Sequence, residues 1–151
     1  MNYIKGSDCK EFFRRAYQNR YTWPSDFSGY QGKCLWNNQD KSYEGSFKID
    51  KDLKVKIYGI EDDKIIKLFS SQLWEVAIHR IRRNFDTTHG YNTFTFGGIN
   101  NVGTEVIVGG KNKGDRYRIR DNIVTMVYRH IHENLVEIYT EDVINTDKGY
   151  L

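Results

Sequence analysis

The sequence has little of what punctuates or cross-links a chain. It holds one proline and two cysteines in 151 residues. Cys9 and Cys34 stand far apart and form no C-x-x-C pair. That excludes a disulfide-stapled scaffold and a paired-thiol redox or zinc motif, and fits two free thiols in a reducing compartment. No proline-rich, glycine-rich or low-complexity tract interrupts the chain, so a single domain over residues 1–151 is expected. No run approaches the roughly 18 apolar residues of a membrane helix. The opening Met1-Asn2-Tyr3-Ile4-Lys5-Gly6-Ser7 has no apolar stretch of the secretory kind. The expected location is therefore cytoplasmic, or the stroma of a plastid if a transit peptide has been removed.

A strong excess of one charge is also lacking. The net charge is +3, with 28% charged residues of both signs interleaved. Such a balance permits an anionic ligand without requiring one. It argues against a nucleic-acid partner, as does the absence of an R-G-F-G-F-V-type RNA-reading motif. There is no G-x-S-x-G elbow, no G-x-x-x-x-G-K-[ST] loop and no H-E-x-x-H. No cofactor is identified by the residues. What the chain does have is rings: 11 Tyr, 8 Phe and 3 Trp. A core resting on large aromatic side chains follows.

Periodicity outlines an α+β fold. Cys9, Phe12, Phe13, Ala16 and Tyr17 share one helical face, with Ser7 or Asp8 as cap and Glu11 completing a capping box. Gly29 to Trp36 and the alternating runs Tyr43–Ile49 and Leu53–Tyr58 read as strands, the last two forming a hairpin. From Glu61 to Phe85 the period becomes helical, with Ile66, Phe69, Leu73, Val76, Ala77 and Ile81 as core stripe, a potential break at Ser70-Ser71, and Gly90 as a left-handed stop. Strands are expected over 93–97, 104–108, 116–120, 123–128 and 135–140. Their turns carry Gly97-Gly98, Gly109-Gly110, Lys113-Gly114, Asp121-Asn122 and Glu133-Asn134, and such short connections make neighbours antiparallel. The expected architecture is a curved antiparallel sheet of about seven or eight strands, packed on an N-terminal helix and one central helical segment.

Two cationic groups stand out as ligand-binding candidates. His79, Arg80, Arg82 and Arg83 cluster near a helix end, where i and i+3 project together, so His79 pairs with Arg82 and Arg80 with Arg83. Such a cluster suits a carboxylate, propionate or phosphate. It suits equally a solvated helix end with Arg82 paired to Asp86. Arg116, Arg118 and Arg120 share one strand face opposite Tyr117 and Ile119, and call for an anionic answer, from a neighbouring strand or from a ligand. His89 joins the candidates, with Asp86 as an acid/base partner. His130 and His132 have the spacing of two metal ligands, but no third or fourth is evident, so no metal is expected. Gly109-Gly110-Lys111-Asn112-Lys113-Gly114 has a phosphate-friendly composition, but joins two strands and reads as a hairpin loop.

Several of these stretches resemble one family. They are Phe12-x-x-Arg15-Ala16-Tyr17-x-Asn19-Arg20-Tyr21-Thr22-Trp23 with Phe27-x-Gly29-Tyr30, then His79-Arg80-x-Arg82-Arg83-x-Phe85 followed by His89-Gly90 and Asn92-Thr93-Phe94. Gly114-Asp115-x-Tyr117 and Thr146-x-x-Gly149-Tyr150-Leu151 complete the set. Together they are similar to an uncharacterised family of cyanobacteria and plant plastids, domain of unknown function 3386. The resemblance implies a photosynthetic host or a virus of one, and transfers no activity. Members of that family continue past the Gly-Tyr-Leu motif. The resemblance thus implies a short variant, or an unprotected sheet edge that a protein partner or a ligand covers. Three functions follow as expectations: a non-enzymatic protein binding an amphipathic anionic ligand such as a tetrapyrrole or lipid, a small enzyme using His79, Asp86 or His89, and an adaptor at the sheet edge.

Overall fold

The computed structural model describes residues 6–131 and 133–151. The α+β fold expected from the sequence is what is seen. The elements are α1 (Gly6–Gln18), β1 (Gly29–Asn37), β2 (Ser42–Asp50), β3 (Val55–Tyr58), α2 (Asp63–Arg80), α3 (Phe85–His89), β4 (Asn92–Ile99), β5 (Thr104–Gly110), β6 (Arg116–Arg120), β7 (Ile123–Ile131), β8 (Asn134–Tyr139), β9 (Asn145–Thr146) and β10 (Gly149–Tyr150). The strands divide among three antiparallel sheets, β1-β2-β3, β4-β5-β6-β7-β8 and the small pair β9-β10. The described residues gather into two compact units, 6–21 with 83–151, and 22–82.

The first unit rests its five-stranded sheet on α1. Period-2 alternation sends Phe94, Val106, Val108, Tyr117, Ile119 and Val124 to one face. There they meet Cys9, Phe13 and Ala16, all fully buried, so the predicted stripe of α1 is the packed one. Phe13 is the hub, with its ring 4.6 Å from Tyr117 and 5.1 Å from Phe94. The Gly149-Tyr150-Leu151 segment is tied to the end of α1. Tyr21 N–H donates to the Tyr150 carbonyl at 2.8 Å, and the Tyr150 hydroxyl accepts from Val124 N–H.

In the second unit β1, β2 and β3 turn Cys34, Phe47, Ile49, Val55 and Ile57 toward Phe69 and Leu73 of α2. The buried residues of α2 are Ile65 and Ala77. With Phe69 and Leu73 they form an i, i+4, i+8, i+12 row. The predicted stripe missed Ile65, and Val76 is 48% exposed. Apolar residues surround α2 on all sides, Leu68 and Trp74 among the exposed ones, so periodicity could not single out the buried row.

Local corrections have physical causes. Asp8, expected as a cap, falls within the helical span of α1, and Glu11 pairs with Arg15 at 3.3 Å instead of closing a capping box. Helix α1 stops at Gln18, well before Pro24. Ser70-Ser71 does not interrupt α2; the helical path breaks after Arg80, where Ile81 turns extended. Gly97-Gly98 sits inside β4 at a shift of register against β5, because glycine in a strand marks an irregularity as often as a turn. Gly90 is right-handed helical (φ −60°, ψ −26°), not left-handed. It is needed for closeness instead: a Cβ there would stand 2.2 Å from the Asp86 carbonyl oxygen.

Candidate functional site

In the first unit, α3, the β5–β6 loop and β7 line an open cleft of about 450 Å³. Arg83, Lys111 and Arg129 bring three cations to it, and Asn84, Thr87, Thr88 and Asn112 bring neutral polar groups. No carboxylate is among these lining residues. The β5–β6 loop is the glycine-rich hairpin loop read from the sequence. Gly110 takes a left-handed φ of +83°, and a Cβ there would lie 2.3 Å from the Tyr91 carbonyl oxygen. Only glycine lets the loop fold back this closely, which delivers Lys111 and Asn112 to the cleft.

A hydrogen-bond chain, buried at its His89 end and part-buried at Asn112, orients Asn112. Its backbone N–H donates to Asn92 Oδ1 at 2.9 Å. A backbone N–H can only donate, so the carbonyl end of Asn92 faces it and the amide NH2 points the other way. That NH2 donates to Asn112 Oδ1 at 3.0 Å and to His89 Nδ1 at 3.0 Å. With its oxygen engaged, Asn112 has its own NH2 left to give. Asn84 is arranged alike: its Oδ1 accepts from Thr87 N–H at 3.1 Å, so its NH2 is the end left over.

His89 closes this chain from the core side. It is 5% exposed, edge-on to the rings of Phe13 and Tyr17. Burial, then the charges of Arg129 and Arg20, push its pKa down from 6.5 to about 4, against a smaller opposite pull from Asp115. The imidazole is therefore neutral, with Nδ1 as acceptor and its proton on Nε2.

Arg129 is held from behind. Asp115, 4% exposed, accepts from His130 N–H at 3.1 Å, and its other oxygen lies 3.5 Å from Arg129 Nε. That Nε is buried without a hydrogen bond, while the whole side chain is 40% exposed. The exposure thus belongs to the rest of the side chain, and Arg129 is among the residues lining the cleft.

The residues singled out from sequence fall in several places. Arg83 lines the cleft and His89 supports it through Asn92. Helix α2 ends at Arg80, so the i, i+3 pairing of His79 with Arg82 and of Arg80 with Arg83 does not form. His79 lies 3.7 Å from Glu75 on α2, and Arg82 Nε donates to Thr22 Oγ1 at 3.4 Å. Asp86 is 4.0 Å from Arg14, not paired with Arg82. Nor does it meet the His89 imidazole, whose Nδ1 faces Asn92. His79, Arg80 and Arg82 belong to the second unit and Arg83 to the first. Arg116, Arg118 and Arg120 alternate with buried Tyr117 and Ile119 as expected. Arg118 meets the anionic answer expected from a neighbouring strand, Glu105 at 3.0 Å; Arg120 lies 3.7 Å from Asp121 next to it in sequence and donates to the Asn101 carbonyl, and Arg116 lies 5.8 Å from the Tyr128 ring centre. His130 is 3.7 Å from Asp115; His132 lies outside the described residues.

Arg129 and Asn84 were not singled out by sequence reasoning; Asn92 was named only within a family motif and Asn112 only within the glycine-rich loop, neither as a site residue. One signal was there: Arg129 continues the parity of Val127, which packs on the core, so a cation sits at an inward-facing strand position.

No curated protein and no solved structure matches this chain. Residues 4–151 match the model of the family described as a protein of unknown function, DUF3386. The chain accordingly belongs to the DUF3386 family.

Proposed function

We propose that this chain is a non-enzymatic binding protein that seats the anionic end of a ligand in the cleft between α3, the β5–β6 loop and β7. The observation that carries the reading is the meeting of Arg83, Lys111 and Arg129 in one cleft with no acidic residue among the described residues of its lining. Three converging cations, of which only Arg129 has a carboxylate among the described residues, Asp115, beside it, favour a charge-assisted bond to an anion. Many expected rings of the first unit are spent in its core around Phe13, so the acid group of a tetrapyrrole or lipid is the part the cleft accounts for. A cytoplasmic, photosynthetic setting belongs to this proposal on the strength of the sequence resemblance; fractionation of the native host tests it. Binding is preferred to proton transfer because His89 is buried in the core and Asp86 faces Arg14. Thermal-shift and spectral titrations with bilins, chlorophyllide, fatty acids, small phosphates and small carboxylates test the reading. A stabilisation lost in Arg83→Gln is expected; no response to any of them would sink it.

A second reading, an adaptor at the sheet edge, is supported by edge strand β8, where Leu135, Ile138 and Tyr139 are 51%, 42% and 52% exposed. A partner recovered with the native chain but not with Ile138→Lys is the expected result. A strictly monomeric chain without partners would remove it.

A further inference from the structure

Resting on the cleft reading above, we infer that the group the cleft selects is a phosphate monoester dianion rather than a carboxylate. Charge is the first argument. Arg83, Lys111 and Arg129 supply three positive charges, and buried Asp115 behind Arg129 returns one negative. The two charges left over are balanced by a dianion; a single carboxylate leaves one unanswered. A phosphate monoester carries close to two charges at neutral pH.

Hydrogen-bond polarity is the second argument. The carbonyl oxygens of Asn84 and Asn112 are both occupied inside the protein. What the two amides have left is NH2. With the guanidinium and ammonium groups, these amides make the lining rich in donors, and the Thr87 and Thr88 hydroxyls beside them are able to donate as well as accept. A deprotonated phosphoryl group offers three acceptor oxygens, one more than a carboxylate, and satisfies more of these donors at once. The Asn92–His89 pair acts at one remove. It positions Asn112 by fixing which end of its amide is free.

Size is the third argument. A cleft of about 450 Å³ falls in the range that takes a whole small molecule and is far larger than a bare phosphate ion. The phosphoryl group is therefore carried by an ester, either a soluble metabolite or a lipid headgroup.

Isothermal titration of the full chain at neutral pH with inorganic phosphate, glycerol 1-phosphate and acetate tests this, alongside sedimentation with phosphatidic-acid and neutral vesicles. Glycerol 1-phosphate is expected to bind about tenfold or more tightly than acetate, and inorganic phosphate to compete with it. Vesicle binding that is phosphatidic-acid-specific and competed by phosphate assigns the headgroup source; glycerol 1-phosphate binding without vesicle binding assigns the soluble one. Arg129→Gln could unfold the chain by stranding Asp115, so Asn112→Asp is the sharper variant. It keeps the oxygen that Asn92 holds and replaces the donor with a repelling acceptor. Loss of phosphate binding in a variant with an unchanged circular dichroism spectrum is expected. Acetate binding as tightly as the phosphates overturns this inference and leaves the binding reading standing. No anion binding at all, or binding indifferent to Arg83→Gln and Asn112→Asp, overturns both.

Discussion

His89 carries a titratable ring into a place built for it only while uncharged. Its folded pKa, near 4, lies below its ordinary 6.5, so the unfolded chain takes up the proton first as pH falls. Stability is then at its full value above about pH 6.5 and declines from there to about pH 4, by about 3 kcal/mol in all. Melting temperatures across that window should fall more steeply for the native chain than for His89→Gln. A parallel pair of curves would contradict it. Phe13, fully buried among Phe85, Phe94 and Tyr117, is the costliest single truncation expected. Phe13→Ala should lose about 3–5 kcal/mol in denaturant unfolding. Tyr117 and Ile119 were legible as core because strand parity is a local property. His89 was not. Its sequence neighbours suggested a reactive histidine beside Asp86, whereas its burial is imposed by rings distant in sequence.

At the scale of elements, the strands were read well because alternation needs only nearest neighbours. Strand β6 has the predicted limits, and the neighbouring strands are off by a residue or a few. Helix limits were read less well, since they depend on which backbone groups find partners. The Asp8 cap failed, while Asp62 caps α2 by accepting from Lys64 N–H. The β2–β3 turn holds a removable flaw. Leu53 sits at φ +63°, a left-handed conformation that costs a side chain with a Cβ. Asp50 pins the turn by accepting from the N–H groups of Asp52 and Lys54. Leu53→Gly should therefore stabilise the second unit by about 0.5–1 kcal/mol, net of the glycine's greater freedom when unfolded. A lowered unfolding midpoint would show that the half-buried leucine side chain matters more than its backbone.

For the whole molecule, ligand binding and stability are one measurement. A ligand that binds only the folded chain raises its stability by about 2.7 kcal/mol at a hundred times its dissociation constant. Saturating glycerol 1-phosphate should thus raise the melting temperature of the native chain and leave that of Asn112→Asp unmoved. The cleft behind this prediction was partly visible in the sequence, in Arg83 and in the glycine-rich Lys111-Asn112 loop. Its assembly was not, because α3, that loop and β7 are brought together by the sheet. The first unit is interrupted in sequence: α1 lies before residues 22–82 and all its sheet partners lie after them. On the ribosome this sets an order in time. The second unit is complete before the strands that cover Phe13 have been translated, and α1 emerges with Cys9, Phe13 and Ala16 still lacking their sheet partners. The helix at the centre of the first unit's core is thus made before the second unit and buried after it.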